Sequence, residues 1–159
     1  MLHIDIVCIG KIRENYLKDA IAEYCKRLSK YCVLKIIELP DEKIPAKLND
    51  SLENEVKQKE SNLISAHIKK DSYVIALDLK GKMYSSTDFS YRIQDLSNVT
   101  SNITFLIGGT LGMTNELLNN CKELICFSKM TFPHQLIRIF LLEQLFRAFK
   151  ISNGETYHH

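Results

Sequence analysis

Apolar residues in this chain fall into short unbroken runs and longer stripes spaced by three and four, the two patterns expected of buried strands and of helices. Leu2–Ile9 reads as a strand ending at Gly10, and Glu14 to Leu28 as an amphipathic helix through Leu17, Ala20, Ile21, Tyr24 and Leu28. Val33–Leu39 is a second strand, stopped by Pro40. Asp41 to Asp50, with Pro45 inside it, is expected to be a mobile loop. Ser51 to Lys70 predicts a charged helix with a weaker stripe through Leu52, Val56, Leu63, Ile64 and Ile68. Tyr73–Leu79 predicts a strand followed by a turn at Lys80-Gly81-Lys82. Ser85-x-x-Asp88 then opens a helix as a capping box with Asp in place of Glu.

The wholly apolar strand Ile103–Ile107 runs into Gly108-Gly109-Thr110-Leu111-Gly112. A short helix over Asn115–Asn120, a strand Leu124–Phe127, a loop Ser128 to Pro133 and a long helix from His134 to Lys150 complete the order. Strands apolar on both faces that alternate with helices predict a mostly parallel sheet flanked by helices on both sides. The fold class is α/β, with residues 1–159 as a single domain.

Composition narrows the class. The chain is 45% apolar and 25% charged, which excludes disorder, collagen-like repeats and coiled coil. A net charge of +2 does not mark a strongly basic nucleic-acid binder. No stretch approaches the ~18 apolar residues of a membrane span. The run with His3 and Asp5 is too short and polar for a signal peptide. The five cysteines are odd in number and contain no CxxC, so they predict reduced thiols packed as small apolar residues in a cytoplasmic protein. Their scatter, and that of the histidines, offers no metal-ligand set.

Candidate chemistry lies in the less charged half, after residue 70. The loop Gly108-Gly109-x-x-Gly112 lets main chain approach a ligand, or merely turns a strand into a helix; both readings fit the loop alone. Its spacing differs from G-x-G-x-x-G, and the next strand lacks a terminal acidic residue to grip a ribose. A nicotinamide dehydrogenase is a poor fit. Phe127-Ser128-Lys129-Met130-Thr131-Phe132-Pro133-His134-Gln135 alternates polar and aromatic residues at a strand's C-terminal end, where ligands of open α/β sheets bind. His134 and Arg138 share one helix face, as do Glu143 and Arg147, an ordinary i,i+4 pair by spacing. The rest of that helix is apolar nearly all round, which predicts burial at a subunit interface.

Those motifs, with Leu142-Glu143-Gln144-Leu145-Phe146-Arg147-Ala148 and the terminal Gly154-x-x-Tyr157-His158, resemble the large-subunit rRNA pseudouridine N3-methyltransferase family. This is the single-domain branch of the SPOUT class, and the resemblance spans the whole chain. It implies a C-terminal α/β trefoil knot and a homodimer. It implies S-adenosylmethionine bound at Leu77, at Gly108, Gly109 and Gly112, and at Phe127, Ser128, Lys129, Met130, Thr131 and Phe132. The substrate it implies is N3 of a pseudouridine in 23S rRNA of the assembled ribosome, with no membrane partner and no metal.

The sulfonium methyl is already activated, so the protein must position an in-line attack. The imide nitrogen carries a proton at neutral pH and needs a base, or a cation that stabilises the developing anion. The available polar groups are His134, Arg138, Tyr157 and His158. We expect Arg138 to stabilise the uracil carbonyl charge and a histidine, His158 before His134, to take the N3 proton. Lys11, Arg13, Lys18, Lys26, Arg27 and Lys30 would hold RNA, although each also reads as a solvated-face cation. A second class of function is a ribosome- or RNA-binding module that keeps fold and cofactor pocket without turnover.

Overall fold

Each apolar run forms a strand and each three-four stripe a helix in the computed structural model, which describes residues 1–156. The order is β1 (Leu2–Ile9), α1 (Asn15–Leu28), β2 (Cys32–Leu39), α2 (Asp50–Ser65), β3 (Tyr73–Lys82), α3 (Ser86–Ser97), β4 (Asn102–Ile107), α4 (Asn115–Asn120), β5 (Glu123–Ile125) and α5 (His134–Ser152). The strands make one sheet, β2-β1-β4-β3-β5, in which every pairing is parallel. All strand C-termini therefore face one edge.

Strand alternation divides the core in two. Ile4, Ile6 and Cys8 of β1, with Ile103, Phe105 and Ile107 of β4, pack against Leu28 of α1, Phe89 and Ile93 of α3, and Leu141 and Leu145 of α5. Val7, Ile9 and Leu106 point the other way, onto Ile64 of α2 and Leu117 and Leu118 of α4. Both faces are covered, as the doubly apolar strands require. Ser85 caps α3 by accepting from the Asp88 amide. The cysteines are unpaired; Cys8, Cys32 and Cys126 are buried, and burial raises the Cys8 thiol to about 11 and the Cys32 thiol to about 12.

Three of the expected elements are changed. The α2 helix stops at Ser65, short of Ile68 and Lys70. Only Glu123–Ile125 is ordered as β5, so Cys126 and Phe127 already belong to the loop beyond it. Lys80-Gly81-Lys82 is not a turn but the continuation of β3. Ile125 is the register partner of both Leu77 and Lys82, so residues 78–81 arch around β5, and the Cys126 amide donates to the Lys82 carbonyl. Gly81 allows that passage: a Cβ there would lie 2.5 Å from the Ile125 backbone. Gly81→Ala is expected to destabilise by about 3 kcal/mol, the upper end for overpacking, because backbone cannot swing aside as a side chain can. Denaturant titration checks this, and an unchanged midpoint would show that the arch shifts freely. Within the chain, the apolar surface of α5 meets α1, α3 and the sheet. Phe140 remains 39% exposed, and Leu136, Ile137 and Ile139 are half-buried.

Candidate active site

Three chain segments leave the carboxyl edge of the sheet side by side: residues 77–79 from β3, 107–113 from β4 and 125–132 after β5. They enclose a cavity of about 320 Å³, at the lower end of the range for small-molecule sites. Leu77, Gly108, Gly109, Gly112, Phe127, Ser128, Met130, Thr131, Phe132 and His134 all line it. Of the residues singled out in the sequence as cofactor-binding, Lys129 alone does not line it. Cys126, Met113 and Ile137 line it too. They were missed because an isolated apolar side chain near a strand end or on a helix carries no sequence signal separating pocket wall from core.

The walls are braced locally. Gly112, at φ +83°, closes the glycine turn with its amide on the Gly109 carbonyl. A Cβ at Gly108 would approach Met113 Cγ to 3.0 Å and so narrow the cavity wall. After β5, the Cys126 thiol donates to the Ser128 carbonyl, and Ser128 Oγ accepts from the Met130 amide. Phe132 meets Phe140 edge-to-face at 5.4 Å.

His134 opens α5 at the cavity wall, its ring packed on Gly10, where φ is +94° and a Cβ would come within 2.8 Å of His134 Cε1. Its Nδ1 is buried and has no partner among the described residues. Burial first, then the Arg138 charge, lowers the pKa of His134, against a smaller opposing pull from Asp41. The neutral ring therefore favours folding above the unfolded-state value of about 6.5, and that contribution is lost as pH falls through the lower folded-state value. The His134 ring resonances are expected to titrate with a midpoint below the ordinary histidine value of about 6.5. A midpoint at or above about 6.5 would contradict this account of its surroundings.

Arg138 does something different from what its position in the sequence suggested. Its side chain is fully buried: Nη1 donates to Glu38 Oε2 at 2.7 Å, and Nη2 donates to the carbonyls of Ile9 (3.4 Å) and Gly10 (3.1 Å). Glu38 Oε2 also accepts from the Ile12 amide at 2.8 Å. With its donors turned into the protein and no exposure, the guanidinium faces the end of β1 and does not line the cavity. It fastens the end of β1 instead, beneath the exposed Lys11 and Arg13. Glu143 and Arg147 form the i,i+4 pair that their spacing predicts, at 2.9 Å. Tyr157 and His158 lie outside the described residues. No group of three His, Cys, Asp or Glu is placed to hold a metal among the described residues.

Comparison with known proteins decides the family. A family model described as "Predicted SPOUT methyltransferase" matches residues 2–158. The chain belongs to the SPOUT methyltransferase family. Among its SPOUT relatives are proteins called ribosomal RNA large subunit methyltransferase H. The one from Clostridium acetobutylicum is 53% identical and the one from Clostridium novyi 54%, each alignment covering 99% of both chains. Two solved structures share the fold at low identity. A probable methylase family protein from Haemophilus influenzae aligns with a TM-score of 0.55 at 14% identity, covering 98% of this chain and 70% of that one. The TrmH/SpoU tRNA-modifying enzyme of A. aeolicus aligns with a TM-score of 0.52 at 12% identity, covering 95% and 77%. No helix among the described residues of this SPOUT protein is long and apolar enough to cross a membrane.

Proposed function

We propose that this protein transfers a methyl group from S-adenosylmethionine to N3 of a pseudouridine in the 23S rRNA of assembled ribosomes. The observation that carries this is the 53% identity, over 99% of both chains, to a ribosomal RNA large subunit methyltransferase H.

The cavity suits the cofactor. Three chain segments form it, and its lining includes no lysine or arginine; Asp78 is the one formally charged lining residue among those described, and His134 is held toward its neutral form. A sulfonium cation is compatible with such walls, whereas a multiply anionic nucleotide would lack counter-charge. S-adenosylmethionine, when bound, supplies an already activated methyl. What remains for the protein is alignment and removal of the N3 proton. Burial lowers the pKa of His134 and so its strength as a base, and we assign the proton to His158, with Tyr157 next to it in the sequence. Arg138 acts as a positioning residue that holds Gly10 under His134 and presents Lys11 and Arg13 for RNA contact. The double meeting of β3 with Ile125 supports the trefoil knot implied by the family.

Chain reach supports a homodimer. Glu155 is tied to Lys150 Nζ at 2.6 Å and to the Tyr31 hydroxyl at 2.8 Å, at the far end of α5. From Ile137 at the cavity wall to Lys150, the helix rises ~20 Å. With Glu155 held there, completion of the cavity by Tyr157 and His158 of a second copy is the arrangement we propose.

The test is transfer of labelled methyl from S-adenosylmethionine to ribosomes of a strain lacking this activity. Label on N3 of one pseudouridine is expected. Cofactor binding with no transfer would instead favour a non-catalytic ribosome-binding module.

A further inference from the structure

The glycine loop that walls the cavity is held from outside the cavity by two adjacent residues of α2. At its beginning, Gly109 lies against the Glu60 carboxyl: a Cβ there would sit 2.9 Å from Glu60 Oε1 and 3.3 Å from Oε2. At its end, the Thr114 amide donates to Ser61 Oγ at 3.0 Å. Thr114 is in turn the N-cap of α4, its side chain accepting from the Leu117 amide. Both α2 side chains are almost wholly buried, Glu60 at 4% exposure and Ser61 at 2%.

A buried carboxyl is costly unless it is well used. Glu60 Oε2 accepts from the Glu42 amide at 3.0 Å, while Oε1 has no partner among the described residues. The Glu42 bond pins the segment after β2, and Asp41, its neighbour, lies close enough to His134 to act on its charge. One carboxyl therefore touches both the loop that shapes the cofactor cavity and the segment beside the histidine at its wall. The region after β2, expected from sequence to be mobile, is anchored at its start by this contact. Burial, together with the nearby Asp41 and Glu42 charges, raises the Glu60 pKa against the pull of that amide, as expected for a group kept for its geometry rather than its charge.

We propose that Glu60, with Ser61, is a positioning pair that sets the shape of the cofactor loop and couples it to the Pro40–Glu42 segment. Neither residue touches the reacting atoms. Removing the Glu60 carboxyl lets Gly109 sink toward α2 and frees Glu42, which loosens the cavity without removing any lining side chain. This inference rests on the cavity being the S-adenosylmethionine site.

Calorimetric titration of S-adenosylmethionine into the full-length protein tests it, alongside thermal melting and steady-state methyl transfer to ribosomes. Glu60→Ala is expected to weaken cofactor binding about tenfold, with turnover at saturating cofactor within about threefold of the parent. Glu60→Gln keeps an oxygen for the Glu42 amide and is expected to stay within about threefold for binding. If Glu60→Ala does not fold, Glu60→Asp carries the test, because its carboxyl withdraws from Gly109 by one methylene; about threefold weaker binding is expected. Unchanged cofactor affinity in a folded Glu60→Ala, or in Glu60→Asp where Ala fails, would overturn the proposal, even if the melting temperature fell. Gly108→Val separates this from the parent reading. If it leaves cofactor affinity unchanged, the cavity is not the cofactor site and both readings fall. If it abolishes binding while Glu60→Ala does not alter it, only the positioning role falls.

Discussion

A mixed dimer that pairs a His158→Ala subunit with a Gly108→Val subunit is expected to recover about half the native turnover, although each homodimer is nearly inactive. The reasoning is combinatorial. When the tail of one chain completes the cavity of the other, the sound cavity in the His158→Ala subunit receives the sound tail of its partner. The second site combines a damaged cavity with a damaged tail and stays silent. When each tail serves its own cavity, both sites in the mixed dimer are damaged and no activity returns. The His158→Ala homodimer should lose about 10²- to 10⁴-fold in turnover, the range for removal of a general base, while binding S-adenosylmethionine normally. Differently tagged subunits purified as the mixed species give the measurement. An inactive mixed dimer would refute completion by the partner, and a fully active His158→Ala homodimer would remove that histidine from the proton transfer.

The other large effect belongs to Arg138. Arg138→Ala is expected to cost about 3 kcal/mol of stability, the mid-range for deserting buried hydrogen-bonding partners and opening a cavity. The carbonyls of Ile9 and Gly10 lose their donor, whereas Glu38, with 36% of its side chain exposed, can turn to water and keep the Ile12 amide. That exposure keeps the figure below the cost of breaking a fully buried ion pair. For a chain of this size the loss corresponds to a fall of roughly 6–12 °C in melting temperature. Arg138→Lys should recover only part of it, because an ammonium cannot span Glu38 and two carbonyls as the planar fork does. A variant of native stability that binds ribosomes and cofactor yet transfers nothing would restore Arg138 to direct work on the uracil, against its placement here.

These two residues show where sequence reasoning succeeds and where it stops. His134 and Arg138 are four apart, and periodicity correctly put both on one face of α5. Periodicity could not say that one ring would line a cavity while the neighbouring guanidinium turned inward to the Gly10 carbonyl, 128 residues away in the chain. Their fates depend on partners, Gly10 and Glu38, that share no local pattern with them. Glu60 is a clearer case. In a helix of lysines and glutamates it looks like one more solvated charge, yet it is buried beneath the glycine loop. The Lys80-Gly81-Lys82 segment reads locally as a turn; the arch around Ile125 makes its glycine a backbone crossing.

What the sequence by itself determined is the alternation of strands and helices, the two-faced core, and the short list of loops from which a ligand site could be made. Those properties follow from local periodicity and from side-chain chemistry, which every residue carries with it. Only the tertiary structure decided the strand order, with β4 set between β1 and β3 and the late strand β5 at the edge beside β3. That order brings residues 77–79, 107–113 and 125–132 around one cavity. It also decided which charged groups are buried, because burial depends on the packing of distant segments, and no local pattern encodes what the rest of the chain will place on top.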